Sequence, residues 1–199
     1  MATDTATFEL HPSQLAAPLD FSALFGRAAP LVVEVGCGGG RTLIGMALAR
    51  PERNYLGIEC AGDYYKVLLA RVAKRALPNM RVSRADAAYL VQRYFGGKSV
   101  QEYHIYFPDP WPKKRHRKRR LFSAQFCADL QRTLAGDGIL YAASDFQEYY
   151  EELRTALQAV FAVQEHPQPW EDAPLGRTNY EVKYIQEGRP IYRLVARAR

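Results

Sequence analysis

Four acidic residues stand inside or directly after short apolar segments, where a carboxylate can contact a ligand. Glu34 lies within the first segment, shortly before the glycine-rich turn Gly36–Gly40. Because a buried strand seldom tolerates an unpartnered charge, Glu34 is predicted to contact a ligand, preferably a cation, or the amides of this turn. Glu59 ends the second segment, about twenty residues past the glycines, where an acid accepts hydrogen bonds from ribose hydroxyls. Asp86 and Asp109 follow the third and fourth segments, so the four acids together predict one ligand-binding site.

Residues 107–120, which read FPDPWPKKRHRKRR, combine a rigid acidic turn with a concentrated run of cations. Pro108 and Pro110 restrict the backbone on both sides of Asp109, so its carboxylate is held in one direction. Seven of the eight residues from 113 to 120 are Lys or Arg, and without them the formal charge of +6 becomes 6 − 7 = −1. A local cationic run beside an aromatic residue suits a polyanion such as RNA, because phosphate contacts supply most non-specific affinity. Its place between apolar segments disfavours a solvated targeting tail.

Alternating strand and helix patterns position these residues. Strands are predicted at 31–35, 54–58, 80–83, 103–107, 138–143 and 191–196, and helices at 41–50, 63–76, 86–95, 123–135 and 146–160, with a loop at 166–176. The glycine-containing stretch 136–138 is expected to stop the fourth of these helices. Such alternation indicates a parallel sheet with helices on both faces. Right-handed crossovers bring the carboxyl ends of the strands to one rim, where ligands of open sheets bind.

Length and composition bound the class of protein. A chain of 199 residues is expected to form one domain, here 31–199, preceded by a loosely structured lead-in, 1–30, with room for one short helix. The three cysteines, Cys37, Cys60 and Cys127, are odd in number and lack metal-ligand spacing, so neither a disulfide nor a metal site is predicted. No apolar run is long enough to span a bilayer and no signal-peptide core is present, so a cytoplasmic location without membrane contact is expected. No obligate protein partner is evident.

The pattern Glu34-Val35-Gly36-x-Gly38-x-Gly40, the strand-end Glu59 and the Asp86-Ala87 step resemble the S-adenosylmethionine-dependent Rossmann-like methyltransferases. With FPDPWPKKRHRKRR, Ser144-Asp145 and Thr178–Glu181 added, residues 31–199 resemble the bacterial tRNA (guanine-N7-)-methyltransferases. This resemblance implies a class I α/β fold: a mostly parallel seven-stranded sheet with helices on both faces and its last strand antiparallel. It also implies methyl transfer from S-adenosylmethionine to N7 of a guanosine in tRNA, in the variable loop.

The same resemblance implies a role for particular residues. The methyl donor would be held by Glu34, Gly36, Gly38, Gly40, Glu59, Asp86, Ala87 and Asp109, with Asp86 and Ala87 beside the adenine ring. The substrate nucleoside would contact Lys113, Asp145, Thr178, Asn179, Tyr180 and Glu181. The tRNA would contact Arg115, His116, Arg117, Lys118, Arg119 and Arg120. In place of Cys37 the family usually has a bulky aromatic residue.

The implied reaction needs orientation and electrostatics rather than a base. Guanine N7 bears no proton, so the methyl group moves directly from sulfur to nitrogen and positive charge moves onto the purine. We therefore expect Asp109 to be the catalytic residue, orienting the purine and stabilising this charge. Asp145 and Glu181 are predicted to accept guanine's N1–H and exocyclic amine, which adenine does not present in this arrangement. Trp111 is interpreted as an anchor of the turn rather than as a base-stacking residue.

Other functions remain open on the sequence alone. A methyltransferase acting on another RNA or on a small molecule would share the glycine turn, although a small-molecule substrate leaves the cationic run unexplained. A non-catalytic nucleic-acid-binding protein is disfavoured by the retained acids. A nicotinamide-dependent reductase is disfavoured because Arg41 stands where the dinucleotide fingerprint has Gly or Ala.

Overall fold

The computed structural model describes residues 5–14, 16–173 and 176–199, so parts of the predicted lead-in and of the predicted 166–176 loop lie outside the described residues. In this part of the chain seven strands form one sheet in the order β3-β2-β1-β4-β5-β7-β6. They are β1 Leu31–Val35, β2 Asn54–Glu59, β3 Met80–Arg84, β4 Val100–Tyr106, β5 Leu134–Ser144, β6 Ala162–Glu165 and β7 Tyr192–Arg197.

Strand directions match the class I fold. The neighbours from β3 to β5 pair in parallel, whereas β7 pairs antiparallel with both β5 and β6. The predicted fold class is therefore confirmed. The strand order reverses between β1 and β4, which is where ligands of open sheets bind.

Helices cover both faces of the sheet. They are α1 Phe21–Phe25, α2 Arg41–Ala49, α3 Gly62–Arg75, α4 Ala87–Tyr94, α5 Ala124–Thr133, α6 Gln147–Gln158 and α7 Asn179–Gln186. One core packs α4, α5 and α6 against the sheet, and a second core packs α2 and α3 on it. These two cores fix the strands whose carboxyl ends form the rim.

The prediction that residues 136–138 stop a helix was wrong. These residues do not end a helix. The helix α5 already ends at Thr133, and residues 136–138 lie within β5, which starts at Leu134. The glycines instead lie in an irregularity of β5, since Val100 pairs with Leu134 but Glu102 pairs with Ile139. Extra residues in one strand of a pair are a β-bulge, for which glycine is suited.

The described part of the lead-in packs on the domain rather than lying loosely. Phe8, Leu10 and Phe25 are buried in the two cores. Leu10 N–H donates to Val82 O at 2.8 Å, and Tyr65 Oη donates to Glu9 Oε1 at 2.6 Å. These three apolar side chains attach the segment to the domain, although the periodicity of apolar residues in its sequence is weak. Among the described residues, no helix is both long and apolar enough to cross a membrane.

Candidate active site

The glycine turn joins β1 to α2 through backbone conformations that side chains rarely permit. Gly36, Gly38 and Gly40 have φ angles of +70°, +53° and +77°. A Cβ at Gly40 would lie 2.3 Å from Leu68 Cδ1, so this glycine also permits the close packing of α3. At Gly36 and Gly38 nothing lies within 4 Å of the Cβ position. The backbone is therefore open to a ligand at these two residues.

Glu34 is a buried carboxyl group next to this turn. Its residue is 3% exposed, and its carboxyl lies beside the backbone of Leu43. Among the described residues its Oε2 atom has no hydrogen-bond partner. Burial above all, with a smaller contribution from the charge of Glu59, raises the pKa of Glu34 to about 8, although Leu43 and Arg177 oppose the rise. An unpartnered buried oxygen favours a ligand that supplies a hydrogen-bond partner, and a positive charge on that ligand would favour ionisation of the carboxyl.

Glu59 holds the glycine turn against the end of β2. Its Oε2 accepts a hydrogen bond from Gly38 N–H and its Oε1 accepts one from Ala61 N–H, both at 2.8 Å. The two bonds give this carboxylate a structural task that the sequence did not indicate. Each carboxylate oxygen has a second acceptor site, so the predicted contact with ribose hydroxyls stays a prediction.

Three acids of the rim lie close to Cys60, which follows β2 directly. Burial raises the pKa of the Cys60 thiol, and the charges of Glu59, Asp109 and Asp86 raise it further, against a backbone hydrogen bond. These acids follow β2, β4 and β3, so the parallel topology gathers them as we expected. Asp86 also caps α4, since its Oδ1 accepts a hydrogen bond from Tyr89 N–H at 2.9 Å, and Ala87 beside it is buried.

The proline turn presents Asp109 at the surface under backbone strain. Phe107 and Trp111 have φ angles of +50° and +41°, a region that bulky residues seldom adopt. Such conformations cost about 1–3 kcal/mol each and cluster at functional sites. Asp109 is exposed between them. The pKa of Tyr180 is raised first by its hydrogen bond with Tyr64 and in smaller part by the charge of Asp109, which places Asp109 near this tyrosine.

Trp111 anchors the turn to the cations that follow it, in agreement with our interpretation. The guanidinium carbon of Arg119 lies 5.0 Å from the Trp111 ring centroid, and the His116 ring meets the same indole edge-on at 5.8 Å. Arg120 Nε donates to Pro110 O at 2.8 Å. The turn and the cationic run are therefore one rigid unit.

The cations form a 3₁₀-helix, Lys114–Arg119, that the sequence did not predict. We call residues 113–119 the basic segment. Its exposed side chains are those of Lys113, Lys114, Arg115, Lys118 and Arg119. His116 and Arg117 are half-buried, and Arg117 Nη2 lies 2.8 Å from Glu148 Oε1. Five cations therefore face solvent directly after the Asp109 turn.

The structure contradicts the prediction that Arg120 contacts RNA. It is buried, and its guanidinium pairs with Glu148 at 3.1 Å and with Glu152, both on α6. Its guanidinium carbon also lies 4.9 Å from the Tyr149 ring centroid. Because this guanidinium is buried and bonded to two carboxylates and to a backbone carbonyl, it is not presented to a phosphate, and Arg120 is a structural residue.

The predicted substrate segment Thr178–Glu181 forms the start of α7. Thr178 caps the helix, because its Oγ1 accepts a hydrogen bond from Glu181 N–H at 3.0 Å. Asn179 Oδ1 accepts a hydrogen bond from Arg41 at 3.1 Å, which links α7 to the end of the glycine turn. The Tyr180 side chain is about half exposed. These three residues border the rim.

The structure contradicts the prediction that Glu181 accepts hydrogen bonds from guanine. It is 0% exposed, and each of its oxygens already has a partner. Oε1 accepts a hydrogen bond from Arg193 Nε and Oε2 accepts one from Arg177 N–H, both at 2.7 Å. Such a carboxylate ties α7 to β7 and presents no face to a base.

Asp145 follows β5, beside the β4 end that leads to Asp109. Its carboxylate is 17% exposed, and Oδ2 accepts a hydrogen bond from Arg189 Nη2 at 2.5 Å. Phe107 N–H donates to Ala143 O at 2.8 Å, so the ends of β4 and β5 are held together. Of the two predicted guanine acceptors, Asp145 is the one that the structure leaves at the rim.

Arg177 is a central residue that sequence reasoning missed. Its Nη1 donates to Tyr106 Oη and its Nη2 to Asp172 Oδ1, both at 2.6 Å, and its guanidinium carbon lies 4.5 Å from the Trp170 ring centroid. Thr42 Oγ1 donates to Arg177 O at 2.6 Å. Arg177 therefore fastens the segment before α7 to β4 and to α2. A single arginine in a loop gives no sequence signal for such a role.

Comparisons with known proteins agree with this geometry. A family model described as a putative methyltransferase matches residues 28–194. A tRNA (guanine-N(7)-)-methyltransferase from Alkalilimnicola ehrlichii is 38% identical over 92% of this chain and 78% of the relative. One from Halorhodospira halophila is 37% identical over 91% of this chain and 80% of the relative. One from Bordetella pertussis is 43% identical over 70% of this chain, which spans 55% of that relative.

Solved structures share the fold at low sequence identity. A structure of an antibiotic-related methyltransferase has a TM-score of 0.61 at 14% identity, covering 92% of this chain and 95% of its own. A phosphoethanolamine N-methyltransferase from Haemonchus contortus, in complex with S-adenosyl-L-methionine, has a TM-score of 0.56 at 13% identity. The match covers 89% of this chain and 51% of that chain. The family model and the relatives matched along most of both chains show that the protein belongs to the tRNA (guanine-N(7)-)-methyltransferase family.

Proposed function

We propose that the protein transfers a methyl group from S-adenosylmethionine to N7 of a guanosine in tRNA, forming 7-methylguanosine. One observation carries this proposal: the basic segment continues directly from the strained turn that holds Asp109 at the acidic rim. A site for a cationic donor and a surface for a polyanion are thus joined in one rigid unit. The names of the bacterial relatives support the same activity.

The rim fits the methyl donor. Its residues would be Glu34, Gly36, Gly38, Gly40, Glu59, Asp86, Ala87 and Asp109, as the family resemblance implies. The unpartnered Oε2 of Glu34 and the open Cβ positions of Gly36 and Gly38 leave acceptor capacity and space for a cationic ligand. When bound, S-adenosylmethionine supplies a methyl group activated by a sulfonium.

Asp109 acts on the purine rather than on a proton. Guanine N7 has a free lone pair, so methylation there requires no general base. A carboxylate held by Pro108 and Pro110 can orient the purine and stabilise the positive charge that develops on it. Orientation alone supplies up to about 7–11 kcal/mol in the best intramolecular reactions.

Asp145 accounts for the choice of guanine. Its carboxylate can accept the N1–H and exocyclic amine of the base, a pair of donors that adenine lacks in this arrangement. Lys113, Thr178, Asn179 and Tyr180 remain the proposed contacts with the rest of the nucleoside. Glu181 is not among them, because both of its oxygens are occupied inside the protein.

The exposed cations of the basic segment would hold the tRNA backbone. Each phosphate contact adds about 0.9 to the slope of log affinity against log salt, so tRNA binding should be steeply salt-dependent. The position of the target guanosine in the variable loop and the cytoplasmic location stay predictions.

The test is to incubate unmodified tRNA with labelled methyl donor and to map the product by borohydride–aniline cleavage, which cuts at 7-methylguanosine. We expect cleavage at one guanosine, and thermal stabilisation of the protein by S-adenosylhomocysteine but not by NADH. Label in another RNA or in a small molecule, with tRNA unmodified, would instead support the second function considered from the sequence. As a matched control, Arg154→Gln removes a half-buried arginine of α6 that pairs with Glu151 on the same helix and with Glu165 on β6, and it should leave methylation unchanged.

A further inference from the structure

The proposed guanine acceptor Asp145 is paired with an arginine that no comparison assigns to the site. Arg189 Nη2 donates to Asp145 Oδ2 at 2.5 Å across 44 positions of sequence. The Asp145 carboxylate is 17% exposed, whereas the Arg189 side chain is 43% exposed. The bond occupies one acceptor site of Oδ2, so the carboxylate keeps capacity for further donors.

Arg189 is itself fixed by three other contacts. Its guanidinium carbon lies 4.0 Å from the Tyr184 ring centroid, a short cation–π distance. Its backbone N–H donates to Tyr184 O at 2.9 Å, and its Nη1 lies 3.8 Å from Glu187 Oε2. A side chain stacked in this way holds its partner in one direction.

The same stack reaches the turn that carries Asp109. The Tyr184 ring lies 5.5 Å from the Phe107 ring, edge to face, and 6.0 Å from the Tyr180 ring. Phe107 has a positive φ and starts the proline turn. A continuous line of contacts therefore runs from Asp145 through Arg189 and Tyr184 to the backbone before Asp109.

We propose that Arg189 is a positioning residue for guanine selection: it holds the Asp145 carboxylate in one orientation, and couples this carboxylate to the Asp109 turn through Tyr184. The inference rests on the proposed function, because it assigns a task within the guanine site. Arg189 acts through Asp145 and not on the reacting atoms. The geometry favours this task over a phosphate contact, since the guanidinium is already engaged by a carboxylate and an aromatic face.

The test compares Arg189→Gln, Arg189→Lys, Asp145→Asn and the double variant under single-turnover conditions. Substrates are tRNA transcripts with guanosine or inosine at the target position, inosine lacking the exocyclic amine. We expect Arg189→Gln to lower kcat/KM for guanosine about 10-fold or more, the range of a lost charged hydrogen bond. The guanosine-to-inosine preference should shrink together with kcat/KM. Arg189→Lys should recover only part of the loss, because lysine keeps the charge without the planar stack.

The double variant decides whether Arg189 acts through Asp145. In the Asp145→Asn background, Arg189→Gln should cost less than about 2-fold, since residues in one pathway are not additive. Additive losses would overturn the inference. The inference would also be overturned if Arg189→Gln weakened tRNA affinity, lowered the salt slope by about 1 and left the base preference unchanged. That is the behaviour of a phosphate contact.

Two further measurements keep the outcomes separate. Thermal stabilisation by S-adenosylhomocysteine reports whether each variant is folded with an intact donor site. If the unaltered protein fails to methylate tRNA, the proposed function itself fails. If it methylates tRNA and Arg189→Gln does so equally well with the same base preference, only this inference fails. Arg154→Gln again serves as the matched arginine control.

Discussion

Replacing Glu34 with glutamine should stabilise the protein at neutral and alkaline pH. Burial raises the pKa of this carboxyl from 4.5 to about 8, with a smaller rise from Glu59. The folded state therefore favours the protonated form more than the unfolded chain does. The stability that this form contributes is complete below pH 4.5 and is lost as the pH rises to about 8. Glutamine resembles the protonated carboxyl and does not ionise.

The size of the effect follows from the two pKa values. Each pH unit between them corresponds to about 1.36 kcal/mol, so the whole interval corresponds to about 5 kcal/mol. For a chain of this length about 1 kcal/mol shifts Tm by about 2–4 °C. The range from pH 5 to pH 8 covers about three of these units, or about 4 kcal/mol, so the gap in Tm between Glu34→Gln and the unaltered protein should widen by roughly 8–16 °C over that range.

The assay is urea or thermal unfolding of both proteins at pH 5, 6.5 and 8. Other groups with shifted pKa values contribute equally to the pH dependence of both proteins. Their contributions therefore cancel in the difference between the two unfolding free energies. These include His104, whose pKa is lowered mainly by burial, and Glu102, whose pKa falls to about 2 because His104, Arg50 and Arg53 outweigh its burial. Parallel pH profiles for the two proteins would refute the reasoning, because they would mean that Glu34 is ionised or hydrated in the fold.

Three further predictions concern residues with contrasting roles. Asp109→Asn should lower kcat about 10²–10³-fold, the loss found when one preorganised electrostatic group is removed, as measured in single-turnover assays at saturating S-adenosylmethionine, where weaker donor binding does not contribute. Glu181→Gln should cost about 3–5 kcal/mol of folding stability in urea titrations, because it leaves Arg193 buried without its charge partner; a change of base preference without loss of stability would contradict this. Arg115→Gln should reduce the salt slope of tRNA binding by about 1, whereas Arg120→Gln should lower Tm and leave that slope unchanged.

Most of the sheet was predictable because its central strands are buried on both faces. The residues of β1 and β2 are all buried, and such strands read as continuous apolar runs. The acids at their ends then fall on one rim by topology alone. β6 was not located, because its four residues are exposed or half-buried and carry no apolar pattern. α7 was missed for a similar reason, since Glu181 is its one buried residue.

The charged partners of the site were not predictable from the chain. The residues around Asp145 and Glu181 in the sequence do not indicate which of the two carboxylates is buried. Their difference depends on two arginines: Arg193 lies on β7 and enters the interior, whereas Arg189 lies before β7 and stays at the surface. An ion pair across 44 positions, such as that of Asp145 and Arg189, leaves no periodic signal.

The cationic run shows how the fold divides residues that the sequence presents as equal. A 3₁₀-helix has three residues per turn, so residues three apart share a side. Arg117 and Arg120 lie on the side that meets α6, where Glu148 pairs with both at 2.8 and 3.1 Å. These two ion pairs fix the basic segment to the domain. The other cations of the segment therefore project to solvent from a backbone that is held in place. The proposed RNA surface therefore consists of the cations that are not paired with α6, and it is rigid because Arg117 and Arg120 hold the segment in place.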